Sequence, residues 1–136
     1  MRAALLTAIA ISGVAVPAAA AAAPTRPDGT YTGGRGRIAL TVSGRSIDLL
    51  AIDFRCGETR GATSVNTIPI KRVRGRWRFS IRTFGLATYD DEHPDENARV
   101  TVSGTFSRSG KSVVGRYRIR SPYCGGTGEV QWRAAH

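Results

Sequence analysis

Arginine is the residue type whose spacing could do chemistry in this chain, and it occurs in rows. Arg116, Arg118 and Arg120 alternate with Tyr117 and Ile119; Arg76, Arg78 and Arg82 alternate with Trp77, Phe79 and Ile81. On a strand, residues i, i+2 and i+4 share one face and stand about 6.5–7 Å apart, so each set reads as a basic row backed by apolar side chains. Lys71, Arg72 and Arg74 lie just before the second set. A guanidinium is a planar fork that holds phosphate, sulfate or carboxylate by two parallel hydrogen bonds. The six arginines are therefore candidate anion-binding residues. The chain has 18 Arg against 2 Lys and a formal charge of +10. That ratio also fits a compositional preference spread over a solvated face, and net charge by itself favours non-specific association.

Other chemistry is thinly represented. Asp90-Asp91-Glu92-His93-Pro94-Asp95-Glu96 carries five acids in seven residues. It lacks the alternating oxygen ligands and central glycine of an EF-hand loop, so it reads as a solvated acidic loop and no metal is assigned. Nucleophilic catalysis by a triad needs a positioned histidine, and the two present are His93, in that loop, and His136, the last residue. Glycoside hydrolysis needs two carboxylates about 5–9.5 Å apart; nothing in the spacing of Asp48, Asp53 and Glu58 brings them together. Gly33-Gly34-Arg35-Gly36 lacks the strand–turn–helix setting of a phosphate-cradling loop. The chain reads as a non-enzyme without a cofactor. Tyr31, Tyr89 and Tyr123 lie near turns, where exposed rings could stack on sugars.

The elements that must position these residues are strands. Ile38, Leu40 and Val42 alternate with polar neighbours, Gly44-Arg45 suits a hairpin turn, and Ile47 and Leu49 continue in one phase while Leu50, Ile52 and Phe54 take the other. A bulge near Leu49-Leu50 reconciles them. Arg76 to Phe84 is the cleanest strand; Val100, Val102 and Phe106 form a further apolar set, and Val130 and Trp132 close the chain. Short strands at this spacing, with 16 glycines for turns and bulges, predict an all-β antiparallel sandwich of jelly-roll or immunoglobulin-like size, with about seven to nine strands. A small closed β-barrel is the alternative.

The first segment reads as an address. Met1-Arg2 is followed by an apolar run from Ala3 to Val16, then Pro17 and a string of alanines. Charged start, apolar middle and small-residue end are the order of a secretory signal, with cleavage between Ala20 and Ala23. The expected organisation is a signal peptide at 1–23, a short linker at 24–27 and a single domain at 28–136. Cleavage removes one arginine and no acid, so the charge falls from +10 to +9, and no later segment is apolar enough to span a bilayer as a helix. Outside the cytoplasm an even cysteine count implies a disulfide, and with two cysteines it can only be Cys56–Cys124.

Several of these residues carry a resemblance. Gly29-Thr30-Tyr31-Thr32-Gly33 opens the domain, Phe54-Arg55-Cys56 ends an early strand, Gly104-x-Phe106 and Gly115-x-Tyr117 follow, and Cys124-x3-Gly128-x-Val130-x-Trp132 comes near the end. Over roughly residues 28–134 the pattern resembles small secreted β-sandwich proteins of actinobacterial type. The resemblance implies the fold and the disulfide and transfers no site residue. Together these readings predict a secreted or envelope-associated, non-catalytic basic protein that binds anionic envelope polymers or other extracellular material, with no specific nucleic acid as partner. A glycan-binding module or a small glycan hydrolase is the second reading.

Overall fold

Period-two alternation organises the described residues into nine strands: β1 (Gly29–Gly33), β2 (Ile38–Ser43), β3 (Ser46–Cys56), β4 (Thr59–Pro69), β5 (Lys71–Val73), β6 (Arg76–Tyr89), β7 (Glu96–Phe106), β8 (Ser112–Arg120) and β9 (Glu129–Ala135). This is a computed structural model that describes residues 12–13 and 23–136. Nearly all of the expected leader, 1–23, therefore lies outside the described residues. Among the described residues no helix is long and apolar enough to cross a membrane.

The strands pair antiparallel in the order β4-β3-β2-β1-β9-β8-β7-β6-β5, and β4 also pairs with β6. Pairing of Thr32 with Ala135 and of Gly33 with Ala134 joins the two ends of the chain. Gly61, Ala62 and Thr63 pair with Tyr89, Thr88 and Ala87. Eight strands thus close into an up-and-down barrel, with β5 as a short spur on β6. The expected all-β antiparallel fold, its strand number and its disulfide hold; of sandwich and barrel, the chain adopts the closed barrel. Closure removes the sheet edges that a sandwich leaves exposed.

An eight-stranded barrel is just wide enough for its own side chains to fill. Tyr31, Leu40, Ile52, Val102, Phe106 and Ile119 are all essentially inaccessible. Three cross-strand pairs set a ring against a glycine: Phe54 with Gly61, Phe79 with Gly104, and Trp132 with Gly115. A Cβ on Gly61 would overlap the Phe54 ring, one on Gly104 would overlap that of Phe79, and one on Gly115 would lie 2.6 Å from the Trp132 indole. Each ring occupies the space that a paired side chain would need, which fits large residues into a narrow bore. Among the described residues the buried indole N–H groups of Trp77 and Trp132 have no acceptor.

The hairpins follow their turn chemistry. Gly44 takes φ 59° at the first central position of the β2–β3 turn, and Arg74-Gly75 takes φ 51° and 73° between β5 and β6, as two-residue hairpins require. β3 does carry a bulge, at Asp48 rather than near Leu49-Leu50, because Thr41 pairs with Leu49 and Val42 with Ile47. Ile47 and Leu50 therefore both face inward, while Leu49 is exposed. Residues 24–27 pack beneath the β7–β8 loop: Pro27 is buried, and the Thr25 N–H donates to the Arg108 carbonyl at 2.8 Å.

Cys56 at the end of β3 is bonded to Cys124 in the β8–β9 loop, Ser121 to Gly128. In the barrel order β3 and β8 stand on opposite walls. The bond therefore spans one mouth of the barrel and holds the loop over it, and the Gly126 N–H donates to Cys56 Sγ at 3.2 Å.

Candidate anion-binding face

Successive pairing of β6 with β7, β7 with β8 and β8 with β9 brings the arginine rows onto one outer surface. Four cross-strand rows run over it: Arg78–Thr105–Val114–Arg133, Ser80–Ser103–Arg116–Gln131, Arg82–Thr101–Arg118–Glu129, and Phe84–Arg99–Arg120. Neighbouring strands are about 4.8 Å apart, so the ridges on β6 and β8 are separated by about 9.5 Å. Between them β7 presents only Thr101, Ser103 and Thr105 until Arg99 is reached. Arg78, Arg82, Arg116, Arg118 and Arg120 are exposed with Tyr117, Ile119 and Phe79 buried behind them. Arg76 is half-buried beside the β5–β6 turn and pairs across to Val73, away from the centre of this face.

The negative charge set against these cations is small. Glu129 Oε1 accepts from Arg116 Nη1 at 3.1 Å, and among the described residues the other ion pair joins His93 and Glu96 at a mouth of the barrel. Arg99 lies over the ring of Phe84, 5.5 Å from its centroid, and Phe84 is 67% exposed. Arg99 and Arg133 belong to the face although neither was singled out in the sequence. Both alternate with inward residues, Arg99 with Ala98 and Val100 and Arg133 with Trp132 and Ala134, so the same period that revealed the other arginines could have found them.

Concavities mark the outer surface among the described residues. A groove of about 940 Å³ crosses β6 to β9 between the first two rows and ends against Lys71 and Val73 of the β5 spur. A smaller one, about 500 Å³, lies over β3, β4 and the end of β6, where Arg35, Arg37, Arg55 and Arg60 are interleaved with Asp53 and Asp90.

The acidic run is a loop with Asp90, Asp91, Glu92 and Asp95 exposed, as expected, and two of its acids are held by hydrogen bonds to the β8–β9 loop. Glu96 Oε1 accepts from the Tyr89 hydroxyl at 2.9 Å, the Ser121 hydroxyl at 2.5 Å and the Tyr123 N–H at 2.9 Å. These bonds favour the charged form, that from Ser121 most, and hold the Glu96 carboxyl below its ordinary value. The Tyr123 hydroxyl donates to the Asp91 carboxylate, which lowers the Asp91 carboxyl and raises the Tyr123 phenol. His93 stacks on Tyr123 with ring centroids 3.6 Å apart, and its Nε2 is 3.9 Å from Glu96 Oε2. Ser121 is buried and donates to Glu96 rather than to His93, so the group closes the mouth of the barrel as a hydrogen-bonded cap.

The remaining candidates are dispersed. Asp48 sits at the β3 bulge and accepts from Ser43 at 2.5 Å, Asp53 is exposed on β3, and Glu58 lies in the β3–β4 turn. Among the described residues no group of three or more metal-binding side chains converges. Tyr31 is buried, with its hydroxyl donating to the Gly110 carbonyl, so it offers no ring to a sugar. Tyr89 is half-buried and Tyr123 is exposed, and they pack on each other at 5.0 Å. Comparison with protein-family models, curated proteins and solved structures finds no match to this chain.

Proposed function

We propose that the protein is secreted, acts without catalysis, and associates through the outer face of β6 to β9 with anionic polymers of the cell envelope or extracellular space. The observation that carries this reading is the row geometry. Seven arginines, Arg78, Arg82, Arg99, Arg116, Arg118, Arg120 and Arg133, lie on one wall with Glu129 as the carboxylate paired across it. A guanidinium needs a bidentate acceptor to satisfy its fork, and clustered cations raise the local concentration of any polyanion. The sheet positions the arginines on its solvated side, where desolvation on binding is modest and salt competes.

The disulfide supports an oxidising compartment, as the leader-like first segment does. The barrel alternates apolar inside and charged outside, the reverse of a barrel that faces lipid. The test is retention of the purified protein on immobilised heparin. Replacing Arg116, Arg118 and Arg120 with Ser should leave the far-ultraviolet spectrum unchanged and move elution to markedly lower salt. Elution at the wild-type position would remove this face from the account.

A further inference from the structure

We infer that the groove across β6 to β9 is a subsite for an anionic chain that also carries hydroxyl groups, a phosphate or sulfate ester of a sugar or polyol, lying across the strands. This rests on reading the outer face as anion-binding. It adds where on the face the ligand lies and what, besides charge, recognises it.

The groove combines three chemistries. Its cations are long and stand at its margins: Lys71 and Arg78 at one end, Arg116 along one side and Arg133 at the far end. Lys71, Arg78, Thr105, Val114 and Arg133 follow one another in a single cross-strand row. At about 4.8 Å per strand that row extends about 19 Å along the sheet. A small anion can touch one or two of these cations, whereas a chain lying along the row touches all of them.

Between the cations the lining is short and polar: Ser80, Ser103, Thr105 and Gln131. Arginine and lysine only donate hydrogen bonds, while serine, threonine and glutamine both donate and accept. The acceptor half of that capacity is of use only to a ligand with donors of its own, which a hydroxylated chain has and a bare polyphosphate lacks. Val73 and Val114 are each more than two-fifths exposed in the same groove and offer an apolar surface to the carbon face of a sugar or polyol. Glu129 stands in the Arg82–Arg118 row of the same wall and reaches Arg116 at the groove's side, leaving Arg78 and Arg133 without a carboxylate in their row.

The test is calorimetric titration with three probes: a glycerol-phosphate polymer, heparin, and inorganic polyphosphate as the hydroxyl-free comparator. Arg78→Ser with Arg133→Ser removes two cations from the groove, and Arg82→Ser with Arg120→Ser removes two from the same face outside it. The groove pair should weaken the hydroxylated probes by about tenfold or more, and the outer pair by less than about threefold. Ser103→Ala with Thr105→Val keeps every charge; it should weaken the glycerol-phosphate polymer or heparin several-fold and polyphosphate by less, because polyphosphate uses only the donor half of those hydroxyls. Whichever hydroxylated probe binds more tightly identifies phosphate or sulfate as the preferred ester. Equal losses from the two arginine pairs on every probe would overturn the subsite while leaving the face intact as a binding surface. Wild-type binding by both pairs would overturn the subsite and the face together. Near-ultraviolet circular dichroism identifies any variant that has lost its fold, and in that case the charge-preserving pair decides.

Discussion

A methyl group at Gly115 would lie 2.6 Å from the indole of Trp132 and overlap the Ser103 carbonyl oxygen. The ring could tilt, but a paired backbone carbonyl cannot move without its strand. Gly115→Ala should therefore cost about 1–3 kcal/mol, the usual range for overpacking, measured by chemical denaturation; an unchanged midpoint would mean that the strands yield. Glu96 makes a different residue-scale prediction. Its carboxyl is lowered, chiefly by the Ser121 hydroxyl, and that of Asp91 by the Tyr123 hydroxyl. A lowered carboxyl contributes stability that is complete above its ordinary value and is lost as pH falls through the lowered one. Stability should thus decline as the solution is acidified below the ordinary carboxylate range, and Glu96→Gln should flatten that decline. The raised Tyr123 phenol has the opposite sign: its contribution is complete below its ordinary value near 10 and is lost as pH rises through the raised one. A stability profile that is identical in wild type and Glu96→Gln would show that the cap contributes nothing. None of this was legible in the sequence, because Glu96 is 25 residues from Ser121 and Asp91 is 32 from Tyr123, and no local pattern announces such partners.

At the scale of elements, alternation carried most of the information. It marked which side chains of β6 and β8 face the core, because a one-residue error in phase would put every arginine inside. It could not separate sandwich from barrel, since inward and outward residues alternate alike in both. Closure depends instead on Gly33 meeting Ala134 and on Gly61 to Thr63 meeting Ala87 to Tyr89, pairings that no single strand records. Tyr31 was misleading for a related reason: its position near a turn says nothing of the Gly110 carbonyl that accepts its hydrogen bond. The cysteines, by contrast, were readable from count and compartment. Their bond closes a separation of 68 residues, and chain entropy alone assigns such a loop about 4 kcal/mol. Cys56→Ser should lower the melting temperature strongly under oxidising conditions. Hydrogen exchange should accelerate first in the β8–β9 loop, which the bond holds across the mouth. A reductant that leaves the melting temperature unchanged would contradict this.

For the whole molecule, the question is whether charge acts as a total or as an arrangement. The chain carries +10, and any protein so basic will meet polyanions. Arginines also line the β3–β4 wall, but there Asp53 and Asp90 stand among them, whereas the wall from β6 to β9 sets its arginines around serine and threonine. Charge-matched variants separate the two accounts. Arg116→Ser, Arg118→Ser and Arg120→Ser remove three charges from one wall; Arg35→Ser, Arg55→Ser and Arg60→Ser remove three from the other. Binding of each to heparin, measured from low salt upward, is the most direct comparison, because exposed charges are screened beyond about 8 Å at physiological ionic strength. Arrangement predicts a large loss for the first variant, little for the second, and a shallower salt dependence for the first alone. Equal losses in the two variants would show that net charge does the binding and that the face is no site.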